Sequence, residues 1–269
     1  MNYNDLIAGI ESYGSQKEFI FENVLGVKTS QIKETVVIAP SWELSYFINA
    51  RKTKLISSNN TLFSSYKVWD VEINKKSFTY IKTGFSATLL MDAILALGMT
   101  ECKKIIFIGS AGGLNEKFNI GDLVIPNCSI TGDGASRYIA SKNFSNDVLG
   151  EEVFPDIDLL SQAINCSNEL QSKYKFNFHK EKNFSTDTIF AQYMHLEKIM
   201  ELGCSVIEME CAAAFRAAKL INIPIVALFS ISDNTIKDKS LLSGRDAESK
   251  SYRKLVKNTI IPEIILNML

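Results

Sequence analysis

Three apolar runs of this chain end in residues that can bind and protonate a small polar ligand. The run from Ile105 to Ile108 leads into Gly109-Ser110-Ala111-Gly112-Gly113, whose backbone N–H groups can face a ligand at the carboxyl end of a strand. The other two runs end in Glu208-Met209-Glu210 and in Ser232-Asp233. If the three ends meet, they form a pocket with glycine backbone on one side and carboxyl groups on the others.

The acidic pair Glu208 and Glu210 has a spacing that suits a sugar. Alternate residues of an extended segment point to the same side, so both carboxylates would face one pocket. A carboxylate in that position can accept hydrogen bonds from the two vicinal hydroxyls of a ribose. The alternative is a pair of carboxylates at a helix start that interact favourably with the helix dipole.

Asp233 closes the most apolar strand of the chain, which runs from Val226 to Asp233. Desolvation should raise the pKa of its carboxyl, so that the group can hold and donate a proton at neutral pH. The alternative is a helix N-cap. The chain has two histidines, His179 and His195, which argues against a Ser-His-Asp hydrolase and against a histidine-rich metal site.

The glycine-rich motif does not match the dinucleotide-binding pattern. Its spacing, Gly109-x-x-Gly112-Gly113, differs from G-x-G-x-x-G, and a strand rather than a helix begins near Ile120-Gly121-Asp122. Two interpretations of the motif remain, namely a turn that faces a ligand and a tight turn without function.

The composition is that of an ordinary globular protein, since the 269 residues are 46% hydrophobic and 22% charged. The net charge of −1 gives no basic surplus for nucleic acid or an acidic membrane surface. Five scattered cysteines predict free thiols in a reducing compartment. The amino terminus lacks a signal-peptide pattern, and the apolar segments are shorter than the ~20 residues that span a bilayer. We therefore expect a cytoplasmic protein without a nucleic-acid or membrane partner.

Apolar periodicity predicts strands that alternate with helices. Strands are expected at residues 35–39, 104–109, 122–126, 176–186 and 226–233, and a hairpin at 66–73 and 77–82 with its turn at 74–76. Helices are expected at 42–51, 86–99, 156–172, 191–202, 211–220 and 246–269, the last interrupted or kinked at Pro262. This pattern predicts an α/β domain with a mostly parallel sheet covered on both faces. We place this single domain at residues 34–269, after an N-terminal helical extension at 1–33.

Taken together and in this order, five motifs resemble the nucleoside phosphorylase/nucleosidase superfamily. The motifs are Gly109 to Leu114, Ile120 to Pro126, Ser185 to Thr188, Ile207 to Ala213 and Ile231 to Asn234. The match spans roughly residues 34–260. It implies a three-layer α/β/α sandwich with a mixed central sheet. It also implies cleavage of the N-glycosidic bond of a nucleoside, in an enzyme that is a homodimer or a larger homo-oligomer.

The resemblance also implies roles for individual residues. Glu210 would accept the ribose hydroxyls, with Glu208 beside it and Met209 as the apolar floor under the sugar. Asp233 would protonate or hydrogen-bond N7 of a purine. Ile189 and Phe190 are expected at the base, and Ser110 and Gly112 are expected to face an anion or water.

Two motifs disagree about the base. Ser232-Asp233 resembles the purine-type members, whereas the stretch from Thr131 to Tyr138, which includes Arg137 as a candidate binding residue, looks like the uridine phosphorylase branch. We give Asp233 more weight because it would touch the reacting groups, so a purine base is favoured.

The nucleophile divides the superfamily into phosphorolytic and hydrolytic members. Phosphorolytic members hold phosphate with an Arg in the loop after the first strand, an Arg before the glycine motif and an Arg from a neighbouring subunit. This chain has Leu44 and Phe107 at the first two places and no Arg within 57–63. Burying a phosphate without paired cations costs several kcal/mol, so hydrolysis is favoured. Arg51 or Arg137 could supply the charge from elsewhere, which keeps phosphorolysis as an alternative.

Glu43 provides the positive argument for hydrolysis. It lines up without a gap with the Glu that acts as general base on water in the methylthioadenosine/S-adenosylhomocysteine nucleosidases. The alternative is a surface carboxylate at a helix start. Arg245, twelve residues after Asp233, could orient that acid or be a charge on a helix face.

The sequence therefore predicts an enzyme that cleaves the N-glycosidic bond of a nucleoside with water, or alternatively phosphate, as co-substrate. No metal and no organic cofactor are expected. The rival hypotheses are a nucleoside-binding protein without turnover and an α/β interaction module whose acidic strand ends are helix caps.

Overall fold

Ten strands form one mixed sheet in the part of the chain that the computed structural model describes, residues 1–46, 52–57, 66–143 and 145–269. The strands are β1 (Thr35–Ala39), β2 (Lys52–Leu55), β3 (Lys67–Ile73), β4 (Lys76–Lys82), β5 (Lys104–Gly113), β6 (Leu123–Thr131), β7 (Glu152–Val153), β8 (Phe178–Ser185), β9 (Val206–Glu208) and β10 (Ile225–Asn234). Their order is β10-β6-β8-β9-β5-β1-β4-β3-β2, and β7 pairs with β6. Because β10 also pairs with β5, the strands β5, β10, β6, β8 and β9 close into a ring.

The sheet combines parallel and antiparallel pairs. Strand β5 is parallel to β1 and β10, and β8 is parallel to β6 and β9. The β10–β6 and β9–β5 pairs are antiparallel. Every residue of β10 is buried, as its continuous apolar run predicts for a strand covered on both faces. The expected α/β class with a mixed sheet is confirmed.

Helices cover both faces of the sheet. They are α1 (Tyr3–Ser12), α2 (Lys17–Leu25), α3 (Ala87–Leu97), α4 (Gly134–Tyr138), α5 (Ile157–Gln171), α6 (Ile189–Gln192), α7 (Leu196–Glu201), α8 (Cys211–Ile221), α9 (Ala247–Leu255) and α10 (Ile261–Met268). Helices α2, α3 and α8 pack on the face that carries Phe107 and Phe229. Helices α5 and α10 pack on the face that carries Ile106 and Leu228. Successive residues of a strand point to opposite faces, so β5 and β10 serve both layers of the core.

The first 33 residues contain α1, α2 and a 3-10 turn at Thr29–Gln31. Phe21 and Leu25 of α2 belong to the same apolar cluster as α3, and the Tyr3 hydroxyl donates to the carbonyl of Leu95 at 2.8 Å. This segment therefore packs against the main body, and its division from the domain at residue 34 stays a prediction.

Several expected elements are confirmed. Strands β3 and β4 form the hairpin, with Asn74 and Lys75 at φ 50° and 66° in its tight turn. Helices α3, α5 and α8 match their predicted ranges, whereas the helix expected at 191–202 is divided into α6 and α7. The five cysteines are free and buried. Among the described residues, no helix has the length and apolar character needed to cross a membrane.

The helix expected at 42–51 is wrong within its described part. Leu44–Tyr46 forms a 3-10 turn, and β2, which the periodicity missed, begins at Lys52; residues 47–51 lie outside the described residues. The indole N–H of Trp42 donates to Ser110 Oγ at 3.1 Å, and the Tyr80 hydroxyl donates to the carbonyl of Trp42 at 2.7 Å. These long-range contacts fix the backbone here, and helical periodicity does not reveal them.

The glycine-rich segment is part of a strand and not a turn. Strand β5 continues to Gly113, with Gly112 opposite Asp233 and Gly113 opposite Asn234 on β10. A Cβ atom on Gly112 would lie 3.2 Å from Oδ2 of Asp233 and 3.2 Å from Cγ2 of Ile207. The missing side chain therefore lets β5, β9 and β10 meet at one end of the sheet.

The C-terminal helix is interrupted, as expected, but by a widened turn ahead of the proline. Helix α9 ends at Leu255, a π-helical turn covers Val256–Ile260, and α10 begins at Ile261. Pro262 lacks an N–H, and in a regular helix its ring would clash with the carbonyl of the residue four positions earlier. A π turn at that place relieves the conflict.

Candidate active site

The carboxyl ends of β1, β5 and β10 and the junction between β9 and α8 surround a cavity of about 490 Å³. Eight residues singled out in the sequence line it: Ser110, Gly112, Ile189, Glu208, Met209, Glu210, Asp233 and Arg245. The structure therefore brings together the three motifs that end the apolar runs. The volume suits a small ligand.

Glu210 offers an acceptor to the cavity. Its side chain is buried, and among the described residues its Oε1 atom has no hydrogen-bond partner. Burial and the neighbouring carboxylate of Glu208 raise the pKa of the Glu210 carboxyl, while the backbone N–H of Ser86 opposes the rise. A buried carboxylate oxygen without a donor is costly, so a ligand hydroxyl in the cavity would compensate for its lost hydration.

Glu208 holds the strand-to-helix junction together. One oxygen accepts from Asn183 Nδ2 at 2.7 Å and from Ser185 Oγ at 2.6 Å. The other accepts from the backbone N–H groups of Glu210 and Cys211 at 2.7 and 2.8 Å. Burial raises the pKa of the Glu208 carboxyl, and these four donors oppose the rise. The expectation that Glu208 and Glu210 lie in one extended segment is wrong, because the strand ends at Glu208 and the chain turns into α8, although both residues line the cavity.

Asp233 stands at the end of β10, where the register against β5 shifts at Ser232. Burial raises the pKa of the Asp233 carboxyl, and the Ser232 hydroxyl and the charges of Arg245 and Arg253 oppose the rise. The Nε–H of Arg245 donates to the carbonyl of Ser232. Arg245 therefore lies beside the acid, and a carboxyl of raised pKa at this position can donate a proton to a ligand.

Arg253 and Lys257 also line the cavity, and the sequence motifs did not indicate either of them. Arg253 Nη2 donates to Ser110 Oγ at 2.8 Å, and its buried Nε atom has no partner among the described residues. Lys257 Nζ lies 4.9 Å from the centroid of the Trp42 ring. Burial and the charge of Arg253 lower the pKa of Lys257 to about 8. Their spacing of four residues in an arginine-poor chain is the one signal that could have suggested a shared helix face.

The Ile120-Gly121-Asp122 motif holds α9 in place. Gly121 has φ +106°, and a Cβ atom there would lie 2.8 Å from the backbone nitrogen of Arg253. The buried carboxylate of Asp122 accepts from the Tyr252 hydroxyl at 3.0 Å and from His179 Nε2 at 3.1 Å. The motif therefore sets the position of Arg253 rather than contacting a ligand itself.

Three predicted residues lie apart from the described lining of the cavity. The carboxylate of Glu43 pairs with Lys82 and is 43% exposed. Arg137 forms a two-point ion pair with Asp147 at 2.8 and 2.6 Å and borders a different surface cavity. Phe190 is 85% exposed. Their proposed roles stay predictions.

Comparison with solved structures shows the same fold. A purine nucleoside phosphorylase from Toxoplasma gondii superposes with a TM-score of 0.71 at 16% identity, covering 90% of this chain and 94% of that one. A uridine phosphorylase from Vibrio fischeri superposes with a TM-score of 0.69 at 13% identity, covering 88% of this chain and 92% of that one.

Sequence comparison finds relatives with higher identity than these structures, but over a shorter part of the chain. The DeoD-type purine nucleoside phosphorylase of Streptococcus pneumoniae serotype 19F is 31% identical over 140 residues, which are 50% of this chain and 53% of that protein. The corresponding Streptococcus suis enzyme is 28% identical over 135 residues, again 50% and 53%. The chain thus spans about half the length of the curated relatives it matches. The model of the phosphorylase superfamily matches residues 36–260, and the chain belongs to that superfamily.

Proposed function

We propose that this protein cleaves the N-glycosidic bond of a nucleoside, with a purine base favoured. The observation that carries the proposal is that Oε1 of buried Glu210 has no partner among the described residues and lies in the same cavity as Asp233. Glu210 can accept hydrogen bonds from the hydroxyls of a sugar, and Asp233 can donate a proton to a leaving base. Relatives in sequence and one relative in fold are named as purine nucleoside phosphorylases, which supports a purine base, whereas another relative in fold is named as a uridine phosphorylase.

The mechanism follows from the charge that develops as the bond breaks. Glu210 accepts the ribose hydroxyls and holds the sugar over Met209. Asp233 transfers its proton to the purine, which leaves with the electron pair of the broken bond. Arg245 positions the backbone next to Asp233 through its hydrogen bond to Ser232. Proton transfer from a positioned acid contributes about 10²–10⁴ in rate.

The nucleophile is either water or phosphate. Water activated by Glu43 stays a prediction that the ion pair with Lys82 does not favour. The cations Arg253 and Lys257 in the cavity favour an anion. Binding without turnover is the competing function, since a fold by itself does not guarantee catalysis.

The test is release of base from adenosine, inosine, methylthioadenosine and uridine, with and without phosphate. We expect release from the purine nucleosides, and a loss of at least about 10²-fold in kcat/KM in both Glu210→Gln and Asp233→Asn. Glu197→Gln, an exposed change on α7, is the matched control for carboxylate loss. Nucleoside binding by the folded wild-type protein without product would contradict the proposal.

Self-association is a separate proposal. Phe85 lines the cavity although it is 74% exposed, and Phe190 and Met194 are 85% and 84% exposed. Exposed apolar side chains of this size are typical of protein interfaces. We expect a homodimer or a larger homo-oligomer in light scattering, and a monomer at micromolar concentration would contradict this.

A further inference from the structure

We propose that a second cavity, at the opposite end of α8 from the candidate active site, binds a small molecule with an apolar body and one carboxylate. This second cavity has a volume of about 720 Å³, which is within the range of small-molecule sites. Glu210, the N-cap of α8, lines the candidate active site, whereas Asn222, the C-cap, lines the second cavity. Among the described residues the two cavities have no lining residue in common. The inference therefore concerns a separate site and does not depend on the proposed function.

The first support is a buried donor on Arg216, a residue of α8 that lines the second cavity. Its side chain is 14% exposed, and its Nη2 atom donates to Oε2 of Glu151 at 2.8 Å. Its Nε atom is buried and has no hydrogen-bond partner in the part of the chain that the structure describes. A buried donor without an acceptor is unfavourable, and a carboxylate is a strong acceptor for the N–H groups of a guanidinium. A ligand carboxylate would therefore stabilise Arg216 in this position.

The second support is the charge of the lining. Three carboxylates line the second cavity, and a cation or the start of a helix engages each of them. They are Glu151 with Arg216, Glu152 with Lys182, and Asp156 at the N-cap of α5. Lys219, three positions after Arg216, is exposed and has no ion-pair partner among the described residues. Residues three apart lie on the same side of a helix, so both cations face one ligand. One positive charge is left to balance, which favours a single carboxylate over a dianion.

The third support is the apolar wall of the second cavity. Phe154 lines it and is 58% exposed, and the same wall contains Phe215, Pro155, Ile223 and Pro224. Small-molecule sites combine mostly apolar walls with a few polar groups that fix the orientation of the ligand. An apolar body packed against Phe154 would remove that ring from water, which is favourable. The cations of α8 and this wall together fit a molecule that is apolar except for its carboxylate.

The fourth support is that backbone pairings hold the walls of the second cavity in place. Strand β7, which carries one wall, pairs with β6. The N–H of Asp156 donates to the carbonyl of Ile225 at 2.8 Å, which joins the start of α5 to β10. The N–H of Ile223 donates to the carbonyl of Ala218 at 3.0 Å, which closes the end of α8. A preformed cavity loses little freedom on binding, which favours affinity for a small ligand.

Calorimetric titration of the full chain tests the site with two probes of nearly equal shape, indole-3-acetate and its uncharged amide, indole-3-acetamide. We expect saturable binding of indole-3-acetate and about tenfold weaker binding of the amide, which lacks the charge. Arg216→Gln should weaken indole-3-acetate by about tenfold or more, and Lys219→Gln, at an exposed position, by about threefold. Lys198→Gln removes an exposed lysine from the last turn of α7 and is the matched control. Arg216→Lys, which keeps a charge for Glu151, provides a second variant if Arg216→Gln does not fold.

A second titration, in the presence of adenosine, separates the two cavities, because the candidate active site also contains cations. We expect the affinity for indole-3-acetate to be unchanged by adenosine. Displacement of the probe by adenosine would place it in the candidate active site and overturn the proposal. Absence of saturable binding to the folded wild type would also overturn it, as would equal affinity in the wild type and the Arg216 and Lys219 variants. The variants decide the question even if adenosine does not bind, and none of these results depends on base release.

Discussion

Replacing Gly121 with alanine tests whether this glycine positions helix α9, which carries Arg253. The residue has φ +106°, and an added Cβ atom would lie 2.8 Å from the backbone nitrogen of Arg253 and 2.8 Å from Cδ1 of Tyr252. Neither contact can be relieved by moving the flexible end of a long side chain. The substitution must therefore strain the turn, displace α9, or do both.

The expected loss of stability has two parts. A residue other than glycine at positive φ costs about 1–2 kcal/mol, and overpacking a close contact costs about 1–3 kcal/mol more. Gly150→Ala is a matched control, because Gly150 has φ +82° but no neighbouring atom within 4 Å of the added Cβ. We expect about 2–5 kcal/mol for Gly121→Ala and about 1–2 kcal/mol for Gly150→Ala.

Urea unfolding followed by circular dichroism measures the stability difference, and phosphate titration measures the functional effect. We expect the phosphate affinity of Gly121→Ala to fall with the displacement of Arg253, while Gly150→Ala binds phosphate like the wild type. Equal stability losses in the two variants would refute the close-packing argument. An unchanged phosphate affinity in a folded Gly121→Ala protein would refute the argument that Gly121 sets the position of Arg253.

Four further predictions concern the carboxylates and the lysine. Glu208→Gln should lower the free energy of unfolding in urea by about 1–3 kcal/mol, because an amide cannot satisfy all four donors; an unchanged value contradicts that role. Cleavage should need protonated Asp233, so kcat/KM falls as pH rises through its raised pKa, and Asp233→Asn should lack this limb. Phosphate affinity should fall as pH rises through about 8, where Lys257 loses its proton, and Lys257→Arg should abolish the fall. Glu43→Gln should keep base release within about tenfold, whereas a loss of 10² or more would restore Glu43 as the base on water.

The sequence predicts best what depends on local pattern. The hairpin of β3 and β4 and helix α8 have a clear period of two or 3.6, and their observed bounds follow it closely. The convergence of the glycine segment and Asp233 was also predictable, since the carboxyl ends of the parallel strands β5 and β10 meet at one edge of the sheet. Glu210 reaches the same edge through β9, which is antiparallel to β5. The order of the five motifs along the chain predicted the superfamily, which the match of the family model confirms.

What the sequence did not reveal depends on contacts between distant residues. Glu208 and Glu210 look equivalent in sequence. The donors Asn183 and Ser185, with two backbone N–H groups, satisfy Glu208, whereas Oε1 of Glu210 has no partner among the described residues. Arg253 and Lys257 look like charges on a surface helix until α9 is packed against Gly121 and Ser110. The hydrophobic periodicity of the sequence carries no information about these pairings.

The closed ring of strands has a consequence for how this chain folds. Its closure pairs Ile105 with Ile225, residues roughly 120 positions apart, so much of the intervening chain must be ordered before the ring is complete. Loop closure over such a distance is entropically unfavourable, and pairings of this kind slow folding. We expect refolding to be slow, with ligand-binding competence regained only in its last kinetic phase, when the final strand docks between its two partners.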